Sequence, residues 1–267
     1  MPLAVCATPI GNLEDVTLRV LAELRDAEVV LAEDTRHTRG LLERHGIRAE
    51  LVSLHEHNEA ARIAELVPRL LGGERMALVT DAGMPLVSDP GARLVRAALD
   101  AGVPVTVLPG PSAVETALVA SGLGGGRYAF VGFLPRKAGE LEALWRETSG
   151  WGTAVVAFES PQRVGASLRS LAAFDGAREV AVCRELTKRF EEVVRGRAGE
   201  VAERFAEPPK GEITLVVAPG AAGVVDVEAA LAAVAELVAA GTPRGVAAEV
   251  VARLSGASRN DLYRGTL

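Results

Sequence analysis

The chain has 267 residues, of which 49% are hydrophobic, and its formal net charge is −6. This length accommodates one large domain or two ordinary ones with a substantial core, while the acidic balance argues against general coating of nucleic acid. Neither an uncharged apolar run of about 18 residues nor a basic region ahead of the first apolar run occurs, so we expect a cytoplasmic protein without a membrane span or signal peptide.

The first part of the chain alternates strand-like and helix-like segments. Short apolar runs, typical of buried parallel strands, lie at 3–7, 29–32, 51–54, 76–80 and 103–108. Amphipathic stretches that predict helices separate them, at 16–24, 38–45, 60–71 and 92–101. Strict alternation of this kind indicates crossover units and a mainly parallel five-stranded sheet.

A Gly-rich segment at 122–126 predicts a hinge that leads to a second α/β domain. Strands are predicted there at 128–134, 154–158, 180–183, 192–195 and 213–217, and helices at 141–146, 161–172 and 201–205. The strands at 180–183 and 192–195 are too close in sequence for a helical crossover. They therefore predict a hairpin and a mixed sheet.

The tail changes character again and is predicted to be helical. A helix capped by Asp226 is expected at 227–240, followed by helices from 242 to about 254 and at 259–264. The spacing of the last two, with Gly256 in the turn, is that of a helix-turn-helix. Residues 242–267 hold four arginines against one Glu and one Asp. Either the tail caps the second domain or it contacts nucleic acid.

The predicted domains are therefore an N-terminal α/β domain at 1–117, a C-terminal α/β domain at 127–220 and the tail at 225–267. Because the carboxyl ends of parallel strands meet at one edge of a sheet, the loops after the first five strands should lie together where α/β sheets bind ligands. These loops are 8–12, 33–37, 55–58, 81–91 and 109–112.

The loop at 81–91 is the longest of these, about nine residues where two or three would suffice. Asp89 and Pro90 predict an N-cap and first residue for the helix that follows. Ser112 and Glu115 fit a capping box at the start of another helix. Three loops of the second half, at 159–163, 184–188 and 208–212, could close over the same edge.

Several classes of site are excluded by missing motifs. The chain contains neither the P-loop motif of nucleotidases nor the glycine-rich motif of dinucleotide-binding domains. It also lacks the G-x-S-x-G elbow of serine hydrolases and a His/Cys cluster with the spacing of zinc ligands. Cys6 and Cys183 lie in apolar runs, so we expect small buried thiols, not a disulfide or a metal pair. His55 and His57 would share a strand face but lack a third ligand, and no metal is expected.

Seven motifs in order carry a family resemblance. They lie at 8–13, 33–36, 81–91, 109–112, 158–161, 184–188 and 210–212. Together they resemble the tetrapyrrole (precorrin) methylase superfamily of class III methyltransferases, and within it the branch that modifies small-subunit ribosomal RNA. The resemblance spans roughly residues 3–218, and the tail is similar to the C-terminal module of that branch.

The resemblance implies two α/β domains with S-adenosylmethionine in the cleft between them. It also implies methyl transfer to the ribose 2′-hydroxyl of a decoding-region cytidine in 16S rRNA of the small ribosomal subunit, by a homodimer. The residues it assigns to the cofactor are Pro9, Asp81, Ala82, Gly83, Val87, Ser112, Phe158, Leu186, Gly211 and Ile213.

A poorly acidic hydroxyl benefits from a proton acceptor during methyl transfer. The candidates for this role are Glu33, Asp34, His37 and His57, and of these we predict Glu33, Asp34 and His57 as the catalytic residues. A cluster of Glu33, Asp34 and Arg36 could equally be a charge network that caps a helix.

Four basic side chains are predicted to contact RNA. Arg36 and Lys188 could bind phosphates beside the target nucleotide, and Arg253 and Arg259 are the tail candidates. Two other functions remain open: a small-molecule tetrapyrrole methylase on the same fold, and a ligand-sensing regulator that binds DNA through the tail.

Overall fold

The computed structural model describes residues 2–220 and 227–266. The predicted domain limits at 1, 225 and 267 and the predicted cap Asp226 lie outside these residues. Within them, two five-stranded sheets and a group of terminal helices form three successive parts of the chain.

The first sheet is entirely parallel, as the alternation predicts. Its strands are β1 (Leu3–Cys6), β2 (Val29–Ala32), β3 (Glu50–Ser53), β4 (Met76–Val79) and β5 (Val105–Leu108), in the order β3-β2-β4-β1-β5. A 3₁₀ turn at Leu13–Asp15 precedes α1 (Leu18–Asp26), and the other helices are α2 (Thr35–Arg44), α3 (Glu59–Leu71) and α4 (Ala92–Asp100).

Helices cover both faces of this sheet, which explains why its central strands β1, β2 and β4 are apolar and buried throughout. On one face α1 and α2 contribute Leu24 and Leu42, and on the other α3 and α4 contribute Leu66 and Leu94. The neighbouring strands β1 and β4 are followed by helices on opposite faces. This reversal creates the crevice at the carboxyl edge where open α/β sheets bind ligands.

The second sheet is mixed, and the predicted hairpin is confirmed. It contains β6 (Tyr128–Phe133), β7 (Ala154–Glu159), β8 (Glu179–Arg184), β9 (Glu192–Arg197) and β10 (Ile213–Val217) in the order β6-β7-β10-β8-β9. Only β6 and β7 pair in parallel, whereas β8 and β9 form an antiparallel hairpin. The helices of this part are α5 (Ala113–Ser121), α6 (Ala138–Ser149), α7 (Val164–Asp175) and α8 (Ala198–Arg204).

Helices α6, α7 and α8 pack on one face of the second sheet around the buried Trp145. Helix α5 covers the opposite face, where Val114 and Ala117 join the same cluster as Val156 and Val216. Thus α5 packs with the second sheet, although residues 113–117 fall in the predicted N-terminal domain. The domain limits themselves remain predictions.

The terminal helices α9 (Val227–Ala239), α10 (Arg244–Ser255) and α11 (Arg259–Gly265) form their own small core around Val234, Ala248 and Leu262. Gly256, with φ 76°, ends α10, and the Ser258 hydroxyl accepts a hydrogen bond from the Asp261 N–H at the start of α11. Within the described part of the chain, no helix has the length and apolar composition that crossing a membrane requires.

Candidate active site

A cavity of about 430 Å³ lies between the carboxyl edge of the first sheet and the second sheet. Nine of the ten residues predicted to hold a cofactor line it: Asp81, Ala82, Gly83, Val87, Ser112, Phe158, Leu186, Gly211 and Ile213. Pro9 is buried but is not among the lining residues. The motif loops of both halves of the chain therefore converge on one concave site.

The loop after β4, residues 81–91, forms the first wall of the cavity and is held through its backbone. Thr8 and Gly83 exchange two backbone hydrogen bonds, from Thr8 N–H to Gly83 O at 2.8 Å and from Gly83 N–H to Thr8 O at 3.1 Å. The buried Thr8 hydroxyl also donates to the Thr80 carbonyl at 3.0 Å. The loops after β1 and β4 are thereby fixed to one another at the crevice.

The predicted N-cap Asp89 is wrong, because another residue supplies the cap. Gly91, with φ 114°, occupies the N-cap position of α4. One oxygen of the buried Glu59 side chain accepts hydrogen bonds from the backbone N–H groups of Gly91, Arg93 and Leu94, at 3.1, 3.0 and 3.2 Å. Asp89, which does not cap the helix, instead lines the cavity.

Asp89 lies in an acidic environment at the edge of the sheet. Burial, followed by the negative charge of Glu33, raises the pKa of the Asp89 carboxyl from 3.8 to about 6, and Asp81 acts in the same direction. A hydrogen bond with the Thr80 side chain partly opposes this rise. Asp89 is consequently a stronger proton acceptor than an ordinary carboxylate, yet it is still ionised at pH 7.

None of the three predicted catalytic residues is among the residues that line this cavity. Glu33 accepts a hydrogen bond from the Thr80 hydroxyl at 3.1 Å. Asp34 is the N-cap of α2 and binds the Arg36 guanidinium at 2.6 Å, which holds the pKa of Asp34 well below its usual range. His57 is exposed. Asp34 therefore has the helix-capping role that the sequence left open, and the catalytic roles remain predictions.

The second wall comes from the loops of the second sheet and is held by charged side chains. Lys188 donates to Glu185 and to Glu212, both at 2.9 Å, across the turn between β8 and β9 and the loop before β10. The buried Glu159 similarly accepts hydrogen bonds from Arg163, and from the Ser167 hydroxyl at 2.6 Å. Ion pairs thus fix the loops that face the first wall.

Left-handed residues other than glycine are concentrated on these two walls. Among the described residues, the non-glycine positions with positive φ are Leu86 and Ser88 on the first wall, and Glu185 and Thr187 on the second, with φ between 51° and 73°. Such conformations cost about 1 to 3 kcal/mol each. They persist where the surroundings determine the loop shape, which is typical of ligand sites.

The exposed Phe133 ring is a lining residue that the sequence prediction missed. Its side chain is 62% exposed and meets Phe158 edge-on, with ring centroids 5.5 Å apart. The pairing of β6 with β7 shifts register between Phe130 and Phe133, where Gly132 has φ 70°. A bulge of this kind re-aims a side chain, and Gly132 within an apolar run was its available signal.

The predicted capping box at Ser112 is also wrong. The Ser112 hydroxyl donates to the Glu115 carboxylate instead of accepting from the helix backbone, although α5 does begin there. Glu115 additionally accepts a hydrogen bond from the Tyr128 hydroxyl at 2.5 Å. Because these two donors stabilise the ionised form, the pKa of Glu115 is lowered.

The predicted RNA-binding cations differ in their availability. Arg36 is paired with Asp34, and Lys188 is engaged by two carboxylates. Arg253 at the end of α10 and Arg259 at the start of α11 are both exposed.

Comparison with known proteins identifies the class of protein to which this fold and cavity belong. Residues 2–202 match the family Tetrapyrrole (Corrin/Porphyrin) Methylases. The crystal structure of uroporphyrin-III C-methyl transferase from Thermus thermophilus, complexed with S-adenyl homocysteine, has a TM-score of 0.57 at 22% identity, covering 80% of this chain and 96% of that one. The predicted fold class is thereby confirmed.

Relatives that match over almost their whole length identify the branch of the tetrapyrrole methylases to which the chain belongs. A protein of Streptococcus pyogenes serotype M1 is 41% identical over 98% of this chain and 93% of its own length. A second, from Mesorhizobium japonicum, is 43% identical over 99% of this chain and 91% of its own length. Both are named ribosomal RNA small subunit methyltransferase I. The chain belongs to this family of methyltransferases within the tetrapyrrole methylases.

Proposed function

We propose that the protein transfers a methyl group from S-adenosylmethionine to the ribose 2′-hydroxyl of a cytidine in small-subunit ribosomal RNA, specifically cytidine 1402 of 16S rRNA. The observation that carries this proposal is the convergence of nine predicted cofactor residues, from both sheets, on one cavity. The names of the two relatives support the choice of RNA.

The cavity suits S-adenosylmethionine in size and in chemistry. Its volume of about 430 Å³ falls in the range of about 300 to 1,000 Å³ that is usual for small-molecule sites. The complex of the Thermus thermophilus neighbour with S-adenyl homocysteine is consistent with this ligand. Apolar groups of Val87, Phe158 and Leu186 would face its uncharged parts, and the Asp81 and Asp89 carboxylates would favour its positive charge.

When bound, S-adenosylmethionine supplies a methyl group already activated by the sulfonium. The main task of the protein is then to hold the 2′-oxygen in line with the bond that breaks. The Thr8–Gly83 backbone bridge and the Glu59 cap keep the first wall in a fixed shape for this purpose. Phe133, exposed at the cavity, would stack on the target base.

Asp89 joins Glu33, Asp34 and His57 as a candidate proton acceptor, and we favour Asp89 because it alone of the four lines the cavity. Its pKa of about 6 matches the need for an ionised yet basic carboxylate at neutral pH. Glu33 would then act as a positioning residue through the Thr80 hydroxyl.

The remaining contacts are proposed from the predicted cations. Arg36 and Lys188 would lie toward the phosphates beside the target nucleotide, and Arg253 and Arg259 would contact RNA from the tail. A homodimer in the cytoplasm completes the proposal. Light scattering of the purified protein tests its oligomeric state.

The activity is tested with small subunits from cells that lack this modification, incubated with the protein and S-adenosylmethionine labelled in its methyl group. We expect one labelled ribose in 16S rRNA, located by mass mapping and protected from alkaline hydrolysis at its 3′ phosphodiester. Label on a porphyrinoid but not on small subunits would favour the tetrapyrrole alternative. Ligand-dependent DNA binding without methyl transfer would favour the regulator.

The proton acceptor is tested with the single variants Asp89→Asn, Glu33→Gln, Asp34→Asn and His57→Ala. We expect Asp89→Asn to lower the single-turnover rate by about 10²- to 10⁴-fold, the usual contribution of general base catalysis, while calorimetry shows retained cofactor binding. Equal rates for all four variants and the unmodified protein would contradict general base catalysis by any of them.

A further inference from the structure

A second concave surface, which we name the loop groove, lies beside the cavity and has a volume of about 580 Å³. Its lining residues are Gly11, Asn12, Leu13, Glu14, Arg44, Thr187, Lys188 and Arg189. Ile10 and Leu186 line the cavity, whereas the residues that follow them, Gly11 and Thr187, line the loop groove. The two concavities therefore share a rim.

The rim is a close contact between the loop after β1 and the turn between β8 and β9. A Cβ atom on Gly11 would lie 2.4 Å from Lys188 Cγ and 2.9 Å from the Leu186 carbonyl oxygen, so a larger residue does not fit. The Asn12 N–H donates to the Thr187 hydroxyl oxygen at 3.0 Å. The floor of the loop groove is thus formed in advance, which reduces the entropy lost on binding.

Three of the four charged lining residues are cations, although the chain as a whole is acidic. Lys188 is engaged by Glu185 and Glu212. Arg44 meets Glu14 at 3.6 Å with both side chains largely exposed, a kind of pair that contributes little. Among residues 2–220 and 227–266, no carboxylate forms an ion pair with Arg189. Arg44 and Arg189 are consequently available to an external anion.

An exposed aromatic ring accompanies Arg189. The Arg189 guanidinium lies 5.6 Å from the ring centroid of Phe190, whose side chain is 65% exposed. Exposed rings next to arginine are the surfaces on which bases of single-stranded RNA stack. Arginine also binds phosphate with two parallel hydrogen bonds.

We propose that the loop groove binds the single-stranded RNA that flanks the methylated nucleotide. Arg44 and Arg189 contact its backbone phosphates, and Phe190 stacks on one of its bases. This inference rests on the proposed function, because it requires the target nucleotide to enter the neighbouring cavity. The shared rim of Ile10 and Leu186 then sets the path of the strand from the loop groove to the cofactor.

The test uses the full chain with Arg44→Ala, Arg189→Ala and Phe190→Ala as single variants. Fluorescence anisotropy measures binding to a labelled single-stranded RNA of the decoding-region sequence over a range of salt concentrations. Calorimetry measures binding of S-adenosylmethionine and reports whether each variant is folded. Arg96→Ala and Phe174→Ala are the matched controls, because both side chains are exposed on helices, α4 and α7.

For Phe190→Ala we expect RNA binding to weaken by about 5- to 20-fold, the effect of losing one stacked base, with an unchanged salt slope. Each arginine variant should weaken binding and reduce the slope of log K against log salt by about 0.7, the value for one phosphate contact in single strands. Cofactor binding should stay within twofold, and the two controls should bind RNA like the unmodified protein.

The outcomes separate this inference from the proposed function. If the unmodified protein methylates small-subunit RNA but all three variants bind the RNA with unchanged affinity and slope, the inference is overturned and the proposed function stands. If the unmodified protein neither binds nor methylates the RNA, both are overturned.

Discussion

The two walls of the cavity are held by different interactions. The first wall, residues 81–91, is fixed by backbone hydrogen bonds to Thr8 and by the buried Glu59 carboxylate. The second wall, around the turn between β8 and β9, is fixed by ion pairs of Lys188 that reach the solvent. Both walls contain left-handed non-glycine residues, so each requires external support.

The difference indicates how each wall responds to change. A buried carboxylate that satisfies several backbone donors has no substitute when it is removed, whereas water can replace an exposed ion pair at little cost. The first wall should therefore depend on one residue, and the second should tolerate the loss of the partly exposed Lys188 pairs. The predictions below test this contrast.

Glu59→Ala should have the largest effect. Three backbone N–H groups at the start of α4 lose their acceptor, and two of them belong to buried residues. We expect the free energy of unfolding to fall by about 3 kcal/mol, and methyl transfer to be lost with it because Asp89 is on the same loop. Urea denaturation and a methyl-transfer assay measure the two effects.

Glu59→Gln provides the control, since the amide oxygen can accept the same three hydrogen bonds. Its free energy of unfolding should fall by about 1 kcal/mol, because hydrogen bonds to a neutral amide oxygen are weaker than those to a charged carboxylate. Equal stability of Glu59→Ala and the unmodified protein would refute the importance of this cap to the first wall.

Lys188→Met removes the pairs of the second wall but keeps an apolar stem beside Gly11. Because Lys188 is partly exposed, we expect a loss of about 1 kcal/mol, smaller than that of Glu59→Ala.

The pH dependence of this loss has a definite sign. The pKa of Glu185 is lowered from 4.5, first by the Glu212 backbone N–H and then by Lys188. Stability from a lowered carboxylate pKa is present above the unfolded value and is lost as pH falls through the folded one. The difference between Lys188→Met and the unmodified protein should therefore shrink below about pH 4. A difference that grows on acidification would contradict the ion-pair account.

Unlike the Glu59 and Lys188 variants, Asp89→Asn should raise the free energy of unfolding near neutral pH. The folded pKa of about 6 exceeds the ordinary 3.8, so Asp89 favours the fold below pH 3.8 and this contribution is lost as pH rises through 6. At pH 7.5 the neutral amide should be more stable by about 1 kcal/mol, after allowing for solvent screening. Below about pH 4 the two proteins should converge.

Thermal unfolding across this pH range measures the effect on stability. A variant that gains stability while it loses activity is expected where a carboxylate is retained for function. Lower stability of Asp89→Asn at pH 7.5 would instead indicate a structural role for this carboxylate.

The sequence predicted the features that depend on neighbouring residues and missed those that depend on distant ones. Strand ends, the parallel sheet and the β8–β9 hairpin follow from local patterns. Of the nine cofactor candidates that the resemblance places in the cavity, seven lie on the loops that these patterns locate, and Phe158 and Ile213 lie at the ends of β7 and β10. The cap of α4 was assigned to Asp89 because that residue is adjacent in sequence. Its actual acceptor, Glu59, is 32 positions away from Gly91, and no local pattern contains that contact.

Phe133 and the pKa of Asp89 were missed for a related reason. The bulge of β6 that exposes Phe133 depends on its pairing with β7. The rise in the pKa of Asp89 depends on burial and on Glu33 in another loop. Both properties arise only after distant segments pack together.

The smallest effects are expected far from both walls, in the tail. Arg253→Glu combined with Arg259→Glu changes two exposed charges and should leave the free energy of unfolding within about 0.5 kcal/mol. If the tail contacts RNA, the variant should bind the decoding-region RNA more weakly, and its salt slope should fall by about 1.4, twice the value for one phosphate contact in single strands. An unchanged slope would leave the tail as a helical cap and would assign RNA binding to the loops at the cavity.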